Sequence, residues 1–139
     1  MEKSDLLNLI SEMFMTIKLL SGYPVPEKLP EVFIVPIEQI QQMICKGPCQ
    51  VKAFYLPDKG VFINDQIDIG QDAFSRSILL HELVHHVQQI SGKFETGLNK
   101  CDRWYSKELE AYRIQNAYLK QTKEERRFLI DSLPMNCAE

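Results

Sequence analysis

The chain of 139 residues is 45% hydrophobic and 25% charged, with a formal net charge of −3. This length suits one domain with a hydrophobic core, and the lack of a basic excess argues against nucleic acid as a partner. No apolar run approaches the roughly 20 residues that span a bilayer, so no membrane partner is expected either.

The N-terminal segment predicts a long amphipathic helix. Apolar residues recur at spacings of three and four over residues 4–21, with Ser4 as the predicted N-cap and Gly22 as the stop. Glu12 and Lys18 interrupt the apolar run, and no small-residue cleavage site follows it. The sequence as written therefore predicts a soluble, cytoplasmic protein. A periplasmic or secreted location would follow if a signal peptide had been removed from a longer precursor.

Short elements are predicted between the N-terminal helix and residue 65. Prolines after Gly22 indicate an extended connector over residues 22–30. The elements that follow are a strand at 31–37, which Pro36 ends or places at a sheet edge, a short helix at 37–45, a turn at 46–49, and a β-hairpin of residues 50–56 and 60–65.

Helices dominate the second half of the predicted fold. One is expected over residues 72–91, capped by Asp72 and stopped at Gly92. Another runs from about Asp102 to Gln121, and a short one over 123–133. Without a repeat or linker, the pattern indicates a single α+β domain over residues 1–139, divided into the helix 4–21, a core of roughly 31–121, and a short helix with a tail over 122–139.

The sequence His81-Glu82-Leu83-Val84-His85 lies within the helix predicted over residues 72–91. Residues four apart differ by about 40° around a helix, so both imidazoles can reach one metal ion from the same face. Glu82 lies about 100° from His81, which is unfavourable for a ligand but suits contact with a water molecule at the metal. The offsets therefore indicate a zinc site with His81 and His85 as ligands and Glu82 as general base.

A helix with a solvated polar face is the alternative interpretation of the same segment. Its apolar face would carry Leu80, Leu83 and Ile90, and its polar face would carry the motif residues together with Gln88. Since either interpretation gives this division, only the identity and offsets of His81, Glu82 and His85 favour a metal. His86, further round the helix, is not expected to share the ion.

A catalytic zinc takes three protein ligands and leaves one position for water. The next predicted helix offers Glu108 and Glu110. Glu108 lies on a largely apolar stripe, where a carboxylate is costly unless it is paired or binds a metal, whereas Glu110 lies on a mostly solvated side. Glu108 is the favoured third ligand, Glu110 remains the alternative, and pairing of Glu108 with a basic residue or a tyrosine hydroxyl is the interpretation without a metal. Gln115, on the same stripe, could orient a ligand.

The two histidines on one helix and Glu-x-x-Ala (Glu108 to Ala111) on the next resemble the gluzincin clan of zinc metallopeptidases. The short chain is similar to the smallest members of that clan, the minigluzincins. The resemblance covers roughly residues 50–121. Tyr112 stands where many members have an aspartate one turn after the glutamate.

This resemblance implies a small zincin-like domain, with a short three-stranded sheet packed against an active-site helix and a second ligand-bearing helix. It implies one Zn²⁺ ion on His81, His85 and Glu108, and a peptide or protein as substrate. It also implies that an edge strand beside the active-site helix pairs with extended substrate, and residues 60–65 are the candidate strand, although they could equally be structural.

The sequence therefore predicts a zinc-dependent metallopeptidase, a hydrolase in which metal-activated water attacks the peptide bond with Glu82 as general base. The alternative is a non-catalytic zinc-binding or regulatory module on a peptidase-like scaffold, since a chain this short has little room for a deep specificity cleft. The oligomeric state and the cleavage specificity are not predicted.

Four cysteines leave the redox state open. In an exported protein Cys45 could pair with Cys49 and Cys101 with Cys137, whereas a reducing cytosol would keep all four as thiols. Cys137 could instead bind the zinc ion and hold the enzyme latent, because a thiolate is a good zinc ligand.

Overall fold

The computed structural model describes residues 1–45 and 50–128, in which helices pack around a small mixed sheet. The described elements are α1 (Lys3–Ser21), β1 (Val32–Val35), α2 (Ile37–Ile40), a π-helical turn (Gln41–Cys45), β2 (Ala53–Leu56), β3 (Gly60–Asn64), α3 (Ala73–Ser91) and α4 (Lys100–Gln121). The predicted α+β class and the three-stranded sheet are confirmed. Within the described residues, no helix combines the length and apolar character needed to cross a bilayer.

The ends of the long helices follow local capping chemistry. Gly22 and Gly92 end α1 and α3 with left-handed backbone, at φ values of 86° and 67°, which glycine adopts without a Cβ clash. Asp72 caps α3 by accepting a hydrogen bond of 2.7 Å from the backbone N–H of Ser75. These three capping predictions are confirmed.

Two helix starts differ from the prediction. Ser4 is not the N-cap of α1, because the helix already begins at Lys3 and Glu2 holds the extended capping position. The helix α4 begins before the predicted Asp102, because the side chain of Asn99 accepts a hydrogen bond of 2.8 Å from the backbone N–H of Asp102. In both cases the backbone turns helical slightly earlier than the apolar pattern indicates.

The strand order β1–β3–β2 places β3 in the centre of the sheet. The strand β2 pairs with β3 as an antiparallel hairpin, and β1 adds in parallel on the other side, with Val32 opposite Val61. The expectation that residues 60–65 form the edge strand beside the active-site helix is therefore wrong. The hairpin pattern does not tell which of its two strands pairs with a third strand. In the structure, β1 pairs with β3. The edge strand nearest α3 is β2.

Gly60 allows β1 and β3 to approach closely. Its backbone φ is 122°, a conformation that other residues rarely adopt, and a Cβ at this position would overlap the carbonyl oxygen of Glu31. The next residue, Val61, donates a backbone hydrogen bond of 2.9 Å to that same carbonyl. The parallel pairing of β1 therefore depends on a glycine at the start of β3.

The core of the domain surrounds α3. From α1, the buried residues Ile10, Phe14 and Ile17 join the same apolar cluster as Leu80 and Leu83 of α3. Contacts from α1, α4, β2 and β3 reach α3 on several sides. The helix α3 is therefore largely enclosed, and this enclosure determines the environment of the motif.

The solvated-face interpretation of α3 is wrong. Its polar residues His81, Glu82 and Gln88 are only 6%, 8% and 0% exposed. Ile90, which the pattern assigns to the apolar face, lies in the last turn of α3 and is 60% exposed. Polar side chains buried at this cost require partners inside the fold.

The chain after α4 does not form the short helix predicted over residues 123–133, as far as it is described. Residues 124–128 have no helical structure, and Asn116 of α4 holds the backbone N–H and C=O of Phe128 at 2.9 and 3.0 Å. These two bonds pair the backbone groups of Phe128 with α4 instead of with a helical turn in its own segment. The rest of that prediction, at 129–133, lies outside the described residues.

Two further predictions depend on residues outside the described part of the chain. The turn at 46–49 is one, and the proposed ligation of zinc by Cys137 is the other. Cys45 and Cys101 are both disulfide-bonded. The predicted pairings of these two cysteines involve Cys49 and Cys137, which also lie outside the described residues.

Candidate metal centre

The packing of α3 against α4 brings His81, His85 and Glu108 together. Nε2 of His81 lies 3.2 Å from Nε2 of His85 and 2.9 Å from Oε2 of Glu108. The second carboxylate oxygen, Oε1, lies 3.3 Å from Nε2 of His85. One donor atom from each residue lies within 4.8 Å of the other two. Glu108, which the sequence favours as the third ligand, therefore lies beside both histidines.

The spacing of these donor atoms fits a tetrahedral zinc site. Ligand nitrogen and oxygen atoms lie about 2.0–2.2 Å from zinc, so two tetrahedral ligand atoms are separated by about 3.3 Å. Here the two imidazole nitrogens are 3.2 Å apart, and each lies 2.9 or 3.3 Å from a different oxygen of the Glu108 carboxylate. Two imidazoles and one carboxylate are also a common donor set of catalytic zinc, which keeps a fourth position open. The residues present therefore fit the ion.

A buried amide fixes the tautomer of His81. Nδ1 of His81 lies 2.9 Å from Oε1 of Gln115, and Nε2 of Gln115 donates to Oγ of Ser77 at 3.1 Å. The Ser77 hydroxyl in turn donates to the carbonyl of Phe74 at 2.6 Å. Since the amide nitrogen is used toward Ser77, its oxygen accepts the proton of Nδ1. The lone pair of Nε2 then points to the carboxylate and the candidate ion position.

A second amide acts in the same way on His85. Nδ1 of His85 lies 2.8 Å from Oε1 of Gln88, and Nε2 of Gln88 donates to the carbonyl of Lys107 and to Oε1 of Glu110, each at 3.0 Å. Gln88 is fully buried. With both amide protons in use, its oxygen accepts from His85, so this imidazole also presents the lone pair of Nε2.

Two imidazole lone pairs and a carboxylate therefore converge on one point, which requires a proton or a cation between them. Burial alone would lower the pKa of His85, but Glu108 and Glu82 raise it to about 9. Burial disfavours the charged form of Glu108, but His81 and His85 more than compensate and hold its pKa well below its usual range. The cluster is thus built to hold positive charge at its centre.

Glu82 lies beside this cluster and lines the same cavity. Among the described residues its carboxylate has no hydrogen-bond partner, although the side chain is buried. Burial raises the pKa of Glu82 above its usual range, and the neighbouring Glu108 adds to the rise, while His81 and His85 oppose it. A carboxylate with a raised pKa and free oxygens is suited to exchange a proton with a molecule in the cavity.

The sequence indicates that Glu110 lies on a mostly solvated side, and this prediction is wrong. Glu110 does not join the histidines either. Its carboxylate accepts hydrogen bonds from the hydroxyl of Tyr23, from Gln88 and from Nζ of Lys93, the last at 2.6 Å. Burial opposes its ionisation, but these three donors hold the pKa of Glu110 below its usual range. Glu110, the alternative third ligand, therefore contacts Gln88, and Gln88 in turn contacts His85.

His86 is also placed apart from the candidate ion. Its Nδ1 lies 2.9 Å from the hydroxyl of Tyr55, and its ring centroid lies 6.0 Å from that of Phe14. Burial lowers the pKa of His86, so the neutral form is favoured. The third histidine is part of the contact between α3, α1 and β2, and it is not a ligand.

The donor atoms open onto a cleft between β2, α3 and α4. The central cavity, of about 400 Å³, is lined by His85 and by the edge strand at Tyr55. A cavity of about 360 Å³ shares His81 with it, and one of about 750 Å³ shares Tyr55 with it. Ile78 borders the smaller neighbour and Ile90 the larger, so the three cavities follow one another along α3.

Sequence patterns missed the roles of Gln88, Glu110 and Tyr23. The sequence predicts a solvated face for Gln88 and a mostly solvated side for Glu110, because each prediction considers one helix in isolation. Tyr23 lies in the connector after α1, where no periodicity applies. Only the packing of three separate segments brings these side chains together. Gln115, in contrast, was identifiable from the stripe that it shares with Glu108.

The family model described as "Domain of unknown function (DUF6647)" matches residues 3–136. No curated protein and no solved structure gives a significant match to the chain.

Proposed function

The chain belongs to the DUF6647 family, and we propose that it is a zinc-dependent metallopeptidase. The observation that carries the proposal is the convergence of His81, His85 and Glu108 at the spacing of a tetrahedral zinc site. Gln115 and Gln88 hold both imidazoles with Nε2 directed at the candidate ion position, and Glu82, whose carboxylate has no hydrogen-bond partner among the described residues, lies beside them. A purely structural zinc site needs neither an open cavity nor such a carboxylate.

The proposed reaction is hydrolysis of an amide bond. Zinc at a site of this kind lowers the pKa of a water molecule towards neutrality and polarises a carbonyl oxygen. Glu82 takes a proton from the attacking water as its oxygen bonds to the carbonyl carbon. The bond between that carbon and nitrogen then breaks, and Glu82 returns the proton to the leaving amine. Gln115 and Gln88 keep both imidazoles oriented throughout.

An extended peptide is the substrate class that the cleft favours. The strand β2 is an edge strand, and its outer side has no partner strand in the described sheet. Such an edge can pair with the backbone of an extended peptide. The row of cavities along α3 adds space on both sides of the candidate ion. An elongated substrate with its scissile bond at the central cavity would use both neighbours.

The test is zinc stoichiometry combined with a peptidase assay on an unfolded protein and on a library of quenched fluorescent peptides. We expect one zinc ion per chain and activity that a chelator abolishes and zinc restores. Glu82→Gln should bind zinc as tightly as the parent and lose about 10²–10⁴-fold in rate, as expected for loss of a general base. Glu95→Gln is the matched control, since Glu95 is an exposed carboxylate paired with Lys107.

The outcomes separate catalysis from zinc binding. Hydrolysis by Glu82→Gln at the parent rate would show that the mechanism is wrong. One zinc ion per chain without hydrolysis of any peptide would favour the non-catalytic zinc-binding module instead. His81→Ala, which removes one ligand, should lose the metal as well as the activity.

A further inference from the structure

We propose that Tyr23 and Glu110 are positioning residues for the metal centre, which fix the amide of Gln88 and through it the ligand tautomer of His85. The proposal rests on the metal site of the proposed function, but it does not depend on the reaction that the site carries out. It connects the segment after α1 to a donor atom of the candidate ion through a chain of three hydrogen bonds.

The first step is the orientation of Gln88. Its amide nitrogen donates to the carbonyl of Lys107 and to Oε1 of Glu110, both at 3.0 Å. A flipped amide would direct its oxygen at these two acceptors and its N–H groups at His85. Glu110 therefore makes the flip unfavourable, since a carboxylate is the stronger of the two acceptors.

The second step is the anchoring of Glu110. The hydroxyl of Tyr23 donates to Oε1, the same oxygen that accepts from Gln88. Nζ of Lys93 lies 2.6 Å from Oε2 and 5.6 Å from the centroid of the Tyr23 ring. Both carboxylate oxygens are thus engaged, and the side chain is held at a partly buried position. Its orientation toward Gln88 is determined by residues that touch no metal ligand.

The third step is the effect on the donor atom. With the amide oxygen of Gln88 fixed 2.8 Å from Nδ1 of His85, the imidazole keeps its proton on Nδ1 and its lone pair on Nε2. Loss of that partner would allow the other tautomer and a free rotation of the ring. The corresponding chain behind His81 ends in the first turn of α3, at the carbonyl of the partly buried Phe74. Among the described residues, the chain behind His85 is the one that reaches the segment after α1.

The experiment measures zinc affinity by competition with a chromophoric chelator, at a temperature where circular dichroism shows every variant to be folded. Residues that orient a metal ligand by hydrogen bonding typically contribute 10–100-fold to metal affinity. We therefore expect 10–100-fold weaker zinc binding for Gln115→Leu and about tenfold weaker binding for Glu110→Ala. Tyr23→Phe removes a single oxygen atom and should weaken binding about threefold, as a more distant contact. Glu95→Ala is the matched control and should bind zinc as the parent does.

Two further readouts distinguish positioning from a general structural role. Glu110→Gln should bind zinc more tightly than Glu110→Ala and Tyr23→Phe, close to the parent affinity, because its amide oxygen can still accept from Gln88. In the zinc-loaded protein, the Nδ1 proton of His85 should exchange with water faster in Glu110→Ala than in the parent, as measured by NMR. The corresponding proton of His81 should not change.

Zinc affinity equal to the parent in both Glu110→Ala and Tyr23→Phe would overturn the proposal, as would an equal loss in Glu95→Ala. If Glu110→Ala does not fold, Tyr23→Phe and Glu110→Gln decide the question. Zinc binding that depends on Glu110, in a protein that cleaves no peptide, would support this inference while the proposed peptidase function fails. Absence of zinc binding by the parent would overturn both.

Discussion

A buried carboxylate was the most informative single residue of this sequence. Glu108 lies on an apolar stripe of α4, and its side chain is 19% exposed between two imidazoles. Its position could be predicted because an unpaired charge in a core is costly, so the stripe itself implies a partner. The partner is the pair of histidines one helix earlier. The same reasoning fails for Gln88, because the pattern of α3 places this amide on the polar side of the helix, where a polar residue implies no partner.

The first prediction concerns the protons that zinc displaces. In the ion-free protein the pKa of His85 is raised to about 9, so its imidazole is protonated at pH 7. Zinc binds only the neutral imidazole, and binding at pH 7 should release about one proton or more. Affinity should consequently fall about tenfold for each pH unit below 9, as expected when one proton competes with the ion.

Isothermal titration calorimetry in buffers of different ionisation enthalpy measures this release directly. The slope of the observed enthalpy against buffer enthalpy gives the number of protons. A slope of zero at pH 7 would mean that His85 is already neutral, which contradicts the charge balance described for the site. The variant Gln89→Ala leaves the donor atoms unchanged and is a suitable control.

At the level of elements, the helices were more predictable than the sheet. The bounds of α3 follow from Asp72 and Gly92, which are local signals, and the structure has them in the predicted roles. The order of the strands depends on a pairing between β1 and β3 over distant parts of the chain. Nothing local in residues 31–37 indicates that partner. The edge strand was therefore assigned to the wrong half of the hairpin.

The second prediction tests the close approach that the parallel pairing requires. Gly60→Ala should lower the free energy of unfolding by about 3 kcal/mol or more. The backbone conformation at this position is strained for alanine, and the new Cβ would overlap a neighbouring carbonyl. Gly92→Ala, at φ 67° with open space around it, should lose only about 1–2 kcal/mol. Urea denaturation measures both. Equal losses in the two variants would show that the contact with Glu31 is not tight.

At the scale of the whole molecule, the composition and the apolar patterns predicted one α+β unit, and the described residues fold around one apolar cluster. The enclosure of α3 was not predictable from α3 itself. It arises because α1, the sheet and α4 pack around α3. Each of these elements has an apolar face, and its sequence alone is equally typical of an ordinary helix or strand at a protein surface. Burial of the motif therefore depends on the packing of the whole domain and not on the sequence of α3 alone.

The third prediction is that zinc stabilises the entire fold. A ligand that binds only the folded state, at a free concentration of one hundred times its dissociation constant, adds about 2.7 kcal/mol to the free energy of unfolding. The melting temperature should rise with zinc and fall again with a chelator. The rise should be absent in His81→Ala, which lacks a ligand. The same rise in His81→Ala would place the bound zinc elsewhere on the protein.

The loop of residues 92–99 between α3 and α4 has a consequence for how the protein folds. It separates the donor residues His81 and Glu108 by 27 positions, about as far as Val32 of β1 lies from Val61 of β3, whereas β2 and β3 pair across a short turn with Leu56 opposite Gly60. Contacts close in sequence form sooner, since less chain has to be ordered to make them. We therefore expect the β2–β3 hairpin to form before α3 packs against α4, so that the strand bordering the cleft exists before His81, His85 and Glu108 meet.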